Sequence, residues 1–339
     1  MTTVYGDISP RTAGYAVARL LERALPNMCL SRFGQMQPVP KNKSTNVTWR
    51  RYNGFKPSLV PLVEGVTPAP NFITKTDVSA VLRQYGERAQ LSDVILDTHE
   101  DPVLMENADI MGEAAAQLAE IVIYNAIKAG TNVLYSGSSA GTRASINSAI
   151  TAAVLDRAIR QLSRQNAKRV TKALKGTDAV GTMPIRPSYI GVIHPDMKLA
   201  LETVLGTAFK DAVEYANGTP MLPNEEGAYK NIRFFSSTLF EPFYQAATTT
   251  GAGTTYMTGG QGGGASGVPD VYPIIIFGEN AFANVALAGE NAVHPIVLNP
   301  KPSDSDPLGQ RAHVAFKTWL ASAILNDAYM VRVETLVAQ

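Results

Sequence analysis

The side chains able to do chemistry are few and scattered. The four histidines, His99, His194, His294 and His313, have no metal-type partner three to five residues away, and His194 and His294 each precede a proline, which marks turns. Cys29 is the sole cysteine; His99 and Asp101 stand elsewhere in the chain as formal partners, but its neighbours Met28 and Leu30 read as a small core residue's surroundings. The carboxylate pairs Glu225-Glu226 and Asp304 with Asp306 sit in polar turns, where solvation keeps both members ionised and leaves no acid for proton transfer. The glycines of Gly259 to Gly264 lack the Lys-Ser/Thr of a phosphate loop, and no G-x-S-x-G elbow occurs. No catalytic constellation assembles, so the expectation is a protein that is not an enzyme and has no cofactor or metal; a soluble enzyme with dispersed catalytic residues is the distant alternative.

Charge narrows the classes further. Thirty basic and twenty-nine acidic side chains leave a net charge of +1 over 339 residues, without the field of a protein whose main task is to grip phosphates. Only 17% of residues are charged, as in a protein that hides surface against copies of itself. A lone cysteine rules out an intrachain disulfide and fits folding in a reducing cytoplasm. Met1 to Pro10 holds no apolar signal region, and Val271 to Gly289 is interrupted by Pro273, Gly278 and Glu279, so no membrane partner is expected. Locally the balance breaks: Arg157, Arg160, Arg164, Lys168, Arg169, Lys172 and Lys175 face the single acid Asp156. That stretch reads as a solvated face or as a contact with DNA or an acidic assembly factor.

The elements that carry these residues follow from periodicity. Ala16, Leu20, Leu21 and Ala24 predict a short helix within residues 10–34. Asn46 to Tyr52 and Asp77 to Tyr85 are rich in β-formers, with Gly54, Pro57, Pro61, Gly65, Pro68 and Pro70 between them, which predicts a long two-stranded excursion with an irregular tip. Two strands bury too little apolar surface to offset the entropy of ordering them, so the excursion must lie against something. Its charges, Arg50, Arg51, Arg83, Glu87 and Arg88, suggest a partner of opposite sign.

A helix opening at Asp101-Pro102 and closing near Gly130 carries an apolar stripe, Leu104, Ala108, Met111, Ala115, Leu118, Val122 and Ala126, and an acidic edge, Glu106, Asp109, Glu113 and Glu120. A second helix starts near Thr151 with Val154, Leu155, Ala158, Ile159 and Leu162 inward. Then come a strand at Tyr189 to Ile193, a turn at His194-Pro195-Asp196, a helix from Met197 to Phe209, and strands at Asn231 to Phe235 and Val271 to Phe277. Thr248 to Gly267 is a Gly/Thr tract expected to be a mobile loop, and Ala312 to Leu336 alternates as a pair of strands returning to the main sheet. The fold class is α+β, with no internal repeat.

This order, and phrases along the chain, resemble the tailed-phage major capsid proteins of the Hong Kong 97 type, in particular their N-four-like branch. The phrases are Arg32-Phe33-Gly34-Gln35, Arg50-Arg51-Tyr52, Leu62-Val63-Glu64-Gly65-Val66-Thr67-Pro68, Gln84-Tyr85-Gly86, Leu91-Ser92-Asp93, Tyr272-Pro273, Phe277-Gly278, Asp306-Pro307-Leu308-Gly309-Gln310, Phe316-Lys317 and Ile324-Leu325-Asn326. The resemblance implies an N-terminal arm (1–44), an extended loop (45–95), a first P-domain part with the spine helix (96–187), an A-domain (188–300) and P-domain return strands (301–339). It also implies self-assembly into hexamers and pentamers of an icosahedral head enclosing double-stranded DNA without reading its sequence. A separate scaffolding protein, a portal and a decoration protein are the further partners, and the location is the virion, with assembly in the host cytoplasm. An encapsulin-like shell around enzyme cargo is the alternative within the same fold. No cleaved leader is expected, since the arm-like sequence starts within the first ten residues, and neither Lys56 nor Lys75 stands out as a cross-linking residue. The expected contact between subunits brings Arg50, Arg51, Arg83 or Arg88, with Glu64 on the same loop, to Glu106, Asp109 and Glu113 of a neighbouring long helix.

Overall fold

The computed structural model describes residues 29–40, 44–93 (except 56, 58, 60, 63, 68 and 69), 103–137, 141–171, 187–212, 224–247, 256–258, 268–287 and 293–338 (except 299, 301, 303–306 and 309). The helix expected around Ala16 to Ala24, the Asp101-Pro102 helix start, Lys172 and Lys175, and all of the Gly/Thr tract but its residues 256–258 lie outside the described residues.

In chain order the strands and helices are β1 (Gln35–Val39), β2 (Asn46–Tyr52), β3 (Lys75–Val81), β4 (Arg83–Ser92), α1 (Val103–Lys128), β5 (Val133–Tyr135), α2 (Ala152–Arg164), β6 (Tyr189–Ile193), α3 (Met197–Leu205) and β7 (Phe209–Asp211). They continue as β8 (Glu225–Tyr229), β9 (Ile232–Ser236), β10 (Tyr272–Phe277), β11 (Phe282–Leu287), β12 (Val293–Leu298), β13 (Arg311–Ile324) and β14 (Met330–Thr335). The result is α+β, as the periodicities predict.

A seven-stranded sheet runs β5-β14-β10-β6-β9-β8-β7. Its central strands β6, β10 and β14 are buried at every residue, because both faces are covered. On one face Leu155, Ala158 and Leu162 of α2 and Met197, Leu201 and Leu205 of α3 pack on Tyr189, Ile193, Phe234, Ile274 and Val333. On the other, Ile123, Tyr124 and Ile127 of α1, with Leu30 and Phe33, pack on Ile190, Val192, Phe235, Ile275 and Phe277. Pro273, which has no N–H to give, pairs with Glu334 of β14 beyond the point where β6 leaves β10.

The second sheet has five strands built on β13. β4 lies along one edge of β13, from Ser92 opposite Arg311 to Arg83 opposite Leu320, while β12 and β11 occupy the other edge and β1 lies parallel to β11. Gly86 permits the β4 approach: a Cβ there would sit 2.7 Å from the Phe316 carbonyl oxygen. β13 and β14 do not return to one sheet, as their shared alternation suggests. The turn between them, with Asn326 accepting a hydrogen bond from the Ala328 N–H at 3.3 Å, sends β13 to the five-stranded sheet and β14 to the seven-stranded one.

α1 spans both sheets, and its buried stripe follows. Leu104, Ala108, Met111 and Ala115 pack on Val314 and Phe316 of β13, as the sequence spacing predicts. Further along, Leu118, Val122 and Ala126 are only partly buried, and Ala116, Ala119, Ile123, Tyr124 and Ile127 take the enclosed positions. The stripe turns because the partner changes from one sheet to the other.

Candidate subunit interface

β2 and β3 pair only with each other, from Asn46 opposite Val81 to Tyr52 opposite Lys75. The root of this hairpin is anchored: Val47 and Trp49 pack with Val39, Leu82, Val285 and Trp319. Its outer face holds Arg50 opposite Asp77, joined by Nε–H to Oδ1 at 2.8 Å and Nη2–H to Oδ2 at 3.1 Å. The Arg50 hydrogen bonds, aided by Lys75, hold the Asp77 carboxyl below the usual carboxylate range. Arg50 is thus engaged within its own hairpin.

Beyond the root the apolar side chains are without cover among the described residues. Tyr52, Phe55, Leu59, Leu62, Val66, Phe72 and Ile73 are all exposed, Leu59 at 94% and Phe72 at 81%. The chain reverses through Gly65 in the left-handed region (φ 77°), a conformation that costs glycine nothing. Large exposed apolar side chains gathered on one hairpin, an element that cannot stand alone, mark it as a candidate interaction site.

The residues expected at the subunit contact divide. Arg51 and Glu64 are exposed on the hairpin, Glu64 at its tip. Arg83 and Arg88 are exposed too, but on β4, a strand of the five-stranded sheet rather than of the hairpin. On α1, Glu106 is exposed and Glu113 half-buried, whereas Asp109 is 4% exposed and Glu120 1% exposed. Asp109 is therefore not on an exposed edge. The acidic row runs under the body because the helical period that aligns its members also carries it across the face that packs on the sheets. No ion pair joins the hairpin cations to the α1 acids within one chain among the described residues.

The buried acids tie elements of the body together. Glu120 accepts the Leu30 N–H at 3.1 and 3.3 Å through its two oxygens, fixing the segment before β1 to α1. Burial pushes its carboxyl above the usual carboxylate range, with the Leu30 N–H acting the other way, and burial raises the adjacent Cys29 thiol as well. Glu334, fully enclosed on β14, accepts from Arg143 Nε–H and Nη2–H, each at 2.8 Å, and from Arg332 Nε–H at 2.8 Å. Arg332 also donates to the carbonyls of Lys128 and Gly130, satisfying the end of α1. Sequence reading missed this pair because its members lie 191 positions apart.

A further titratable cluster is His194, Asp196 and Tyr272. The Tyr272 hydroxyl donates to Asp196 Oδ2 at 2.9 Å, and His194 Nδ1 lies 3.1 Å from the same oxygen. Burial lowers the His194 pKa against the pull of Asp196. The cluster fixes the turn that starts α3. Among the described residues there is no group of three or more His, Cys, Asp or Glu that could hold a metal, and no helix long and apolar enough to cross a membrane.

Comparison with solved structures gives the capsid of Ralstonia phage GP4, at 14% identity and TM-score 0.64, covering 91% of this chain and 90% of that one. The capsid of the cyanophage P-SCSP1u follows at 14% identity and TM-score 0.57 over 88% and 85%, and the head of the Helicobacter pylori bacteriophage KHP40 at 11% and 0.56 over 89% and 87%. At these identities the likeness concerns the fold, which is the Hong Kong 97 type of phage capsids. No curated protein matches the chain. The family profile described as phage capsid protein matches residues 75–333, from the second strand of the hairpin to the last strand of the seven-stranded sheet. The chain thus belongs to the phage capsid protein family, as a major capsid protein of the shell of a phage head.

Proposed function

We propose that copies of this chain form the hexamers and pentamers of an icosahedral head enclosing double-stranded DNA, and that each hairpin is completed by a neighbouring copy. The observation that carries this reading is the uncovered apolar tip, Tyr52 to Ile73. Burying a side chain such as Leu59 or Phe72 contributes about 1.5–3 kcal/mol, and every subunit of a closed shell repeats the contact. Arg51, Arg83 and Arg88, with Glu64, meet Glu106 and Glu113 of neighbours at the rim, where screened pairs set register more than affinity.

In this reading the chain divides into the arm (1–44), extended loop (45–95), P-domain parts (96–187 and 301–339) and A-domain (188–300), and the resemblance of its phrases supports the N-four-like branch. Assembly proceeds in the host cytoplasm on a separate scaffolding protein, with a portal and a decoration protein completing the head. Negative-stain microscopy of the purified chain tests the reading: wild type gives closed icosahedral particles, and the variant Leu59→Asp/Leu62→Asp/Phe72→Asp gives folded, unassembled subunits. Wild-type protein that stays monomeric at high concentration, or a variant that assembles normally, overturns it.

A further inference from the structure

The outward face of α2 has the opposite character to the hairpin tip. Arg157, Arg160 and Arg164 are all exposed, and at roughly 100° per residue they fall within about 60° of arc, diametrically opposite the buried Leu155, Ala158 and Leu162. Lys168 and Arg169 extend the strip on the segment that follows, and both are exposed.

That segment is held rigidly. Asn166 adopts the left-handed conformation (φ 55°) that ends α2, with the Ala167 N–H bonded to the Leu162 carbonyl at 3.1 Å. The Lys168 carbonyl accepts from the Glu279 N–H at 2.8 Å, so close to β10 that a Cβ on Gly278 would lie 2.5 Å from the Lys168 oxygen. Val170 exchanges backbone hydrogen bonds with Ser188 at 2.8 and 3.4 Å.

The nearby acids leave the strip positive. Asp156, the acid on α2, is engaged by Lys230 Nζ at 2.5 Å and by the Tyr229 hydroxyl at 3.0 Å. The helix dipole accounts for Arg164 in the last turn but not for Arg157 and Arg160, and the first turn of α2 has no acid. Among the described residues no hydrogen bond or ion pair engages the side chain of Arg157, Arg160 or Arg164.

We propose that this strip is a docking surface for the phosphate backbone of double-stranded DNA, on the side of the subunit that faces the interior of the shell. The inference rests on the shell reading above. DNA is favoured over an acidic protein because no large exposed apolar side chain lies among the described residues of 141–171, whereas protein interfaces are centred on such anchors. Guanidinium groups on one rigid face match phosphates, and contacts of this kind position without reading sequence.

The test uses the full-length chain, kept unassembled at low concentration, and a fluorescent 30-base-pair duplex across a salt series. Arg157→Gln/Arg160→Gln/Arg164→Gln should weaken binding at least tenfold at moderate salt and flatten the plot of log affinity against log salt by about 2.7, at roughly 0.9 for each phosphate no longer neutralised. Arg311→Gln/Lys317→Gln, which removes two exposed cations of β13 outside the strip, should bind like wild type, and the triple arginine-to-lysine variant should keep the wild-type slope. Unchanged affinity and slope in the glutamine variant, or wild-type preference for polyglutamate over DNA, overturns the proposal. Particle formation by the glutamine variant reports on the shell reading separately, since it persists whether or not the strip binds DNA.

Discussion

β10 and the hairpin tip are both rich in apolar side chains and treat them oppositely. Ile274, Ile275, Ile276 and Phe277 are wholly enclosed between α1 on one face and α2 and α3 on the other, while Leu59, Leu62 and Phe72 stand in solvent. The polar groups follow the same division. Glu120 and Glu334 are buried with donors from distant parts of their own chain, whereas Arg50 and Asp77 pair across one hairpin at the surface. The described body encloses its apolar side chains within one chain, whereas those of the hairpin tip stand in solvent, as the proposed completion by a second copy requires.

The sharpest way to break this comparison is to charge the tip. Leu59→Asp/Leu62→Asp/Phe72→Asp should abolish particles while leaving the thermal unfolding of the subunit unchanged, because these side chains touch little in their own chain. The reverse pattern is expected in the body. Glu334→Ala strands Arg332 and Arg143 without their carboxylate and should lower subunit stability by about 3–5 kcal/mol, read by denaturant unfolding.

Glu120 gives a smaller effect with a pH signature. Glu120→Ala leaves the Leu30 N–H without its acceptor and should cost about 1–3 kcal/mol. Because its folded pKa is raised, the folded chain holds the proton more tightly than the unfolded one. Its contribution to stability therefore declines as pH rises from the usual carboxylate range to the raised folded value, and is constant above it. Glu120→Gln should remove that decline, seen as a flatter plot of unfolding free energy against pH. The smallest change belongs to Arg50→Gln, whose exposed pair with Asp77 should leave subunit unfolding within experimental error, with any loss confined to the salt tolerance of particles.

What could be read from the sequence follows the same line between local and distant interactions. The β2–β3 pairing, the α2 face from Leu155 to Leu162 and the β6-turn-α3 unit are set by periodicity and turn residues and appear in the expected order, though the stretch expected as one strand from Asp77 to Tyr85 divides into β3 and β4, and the helix expected to reach Phe209 ends at Leu205 with Phe209 in β7. The separation of β13 from β14 was not legible, because alternation fixes which side chains share a face but not which strand lies alongside. Nor was the rotation of the α1 stripe, since Ala116 and Ala119 are too small to outweigh Leu118 and Val122 in a pattern read one helix at a time. At the interface, the exposed charges drew attention to Arg50 and Asp109, of which the first is paired locally and the second buried. The signal for the tip was present: Phe55, Leu59, Leu62 and Phe72 recur among prolines and glycines, where a solvated loop has no use for them.

The most direct measurement is a cryo-electron microscopy reconstruction of particles formed by the purified chain. The account predicts an icosahedral shell in which Leu59, Leu62 and Phe72 of each hairpin are buried against a neighbouring copy. Closed particles in which the tips project into solvent, or fold back onto their own subunit, would contradict it.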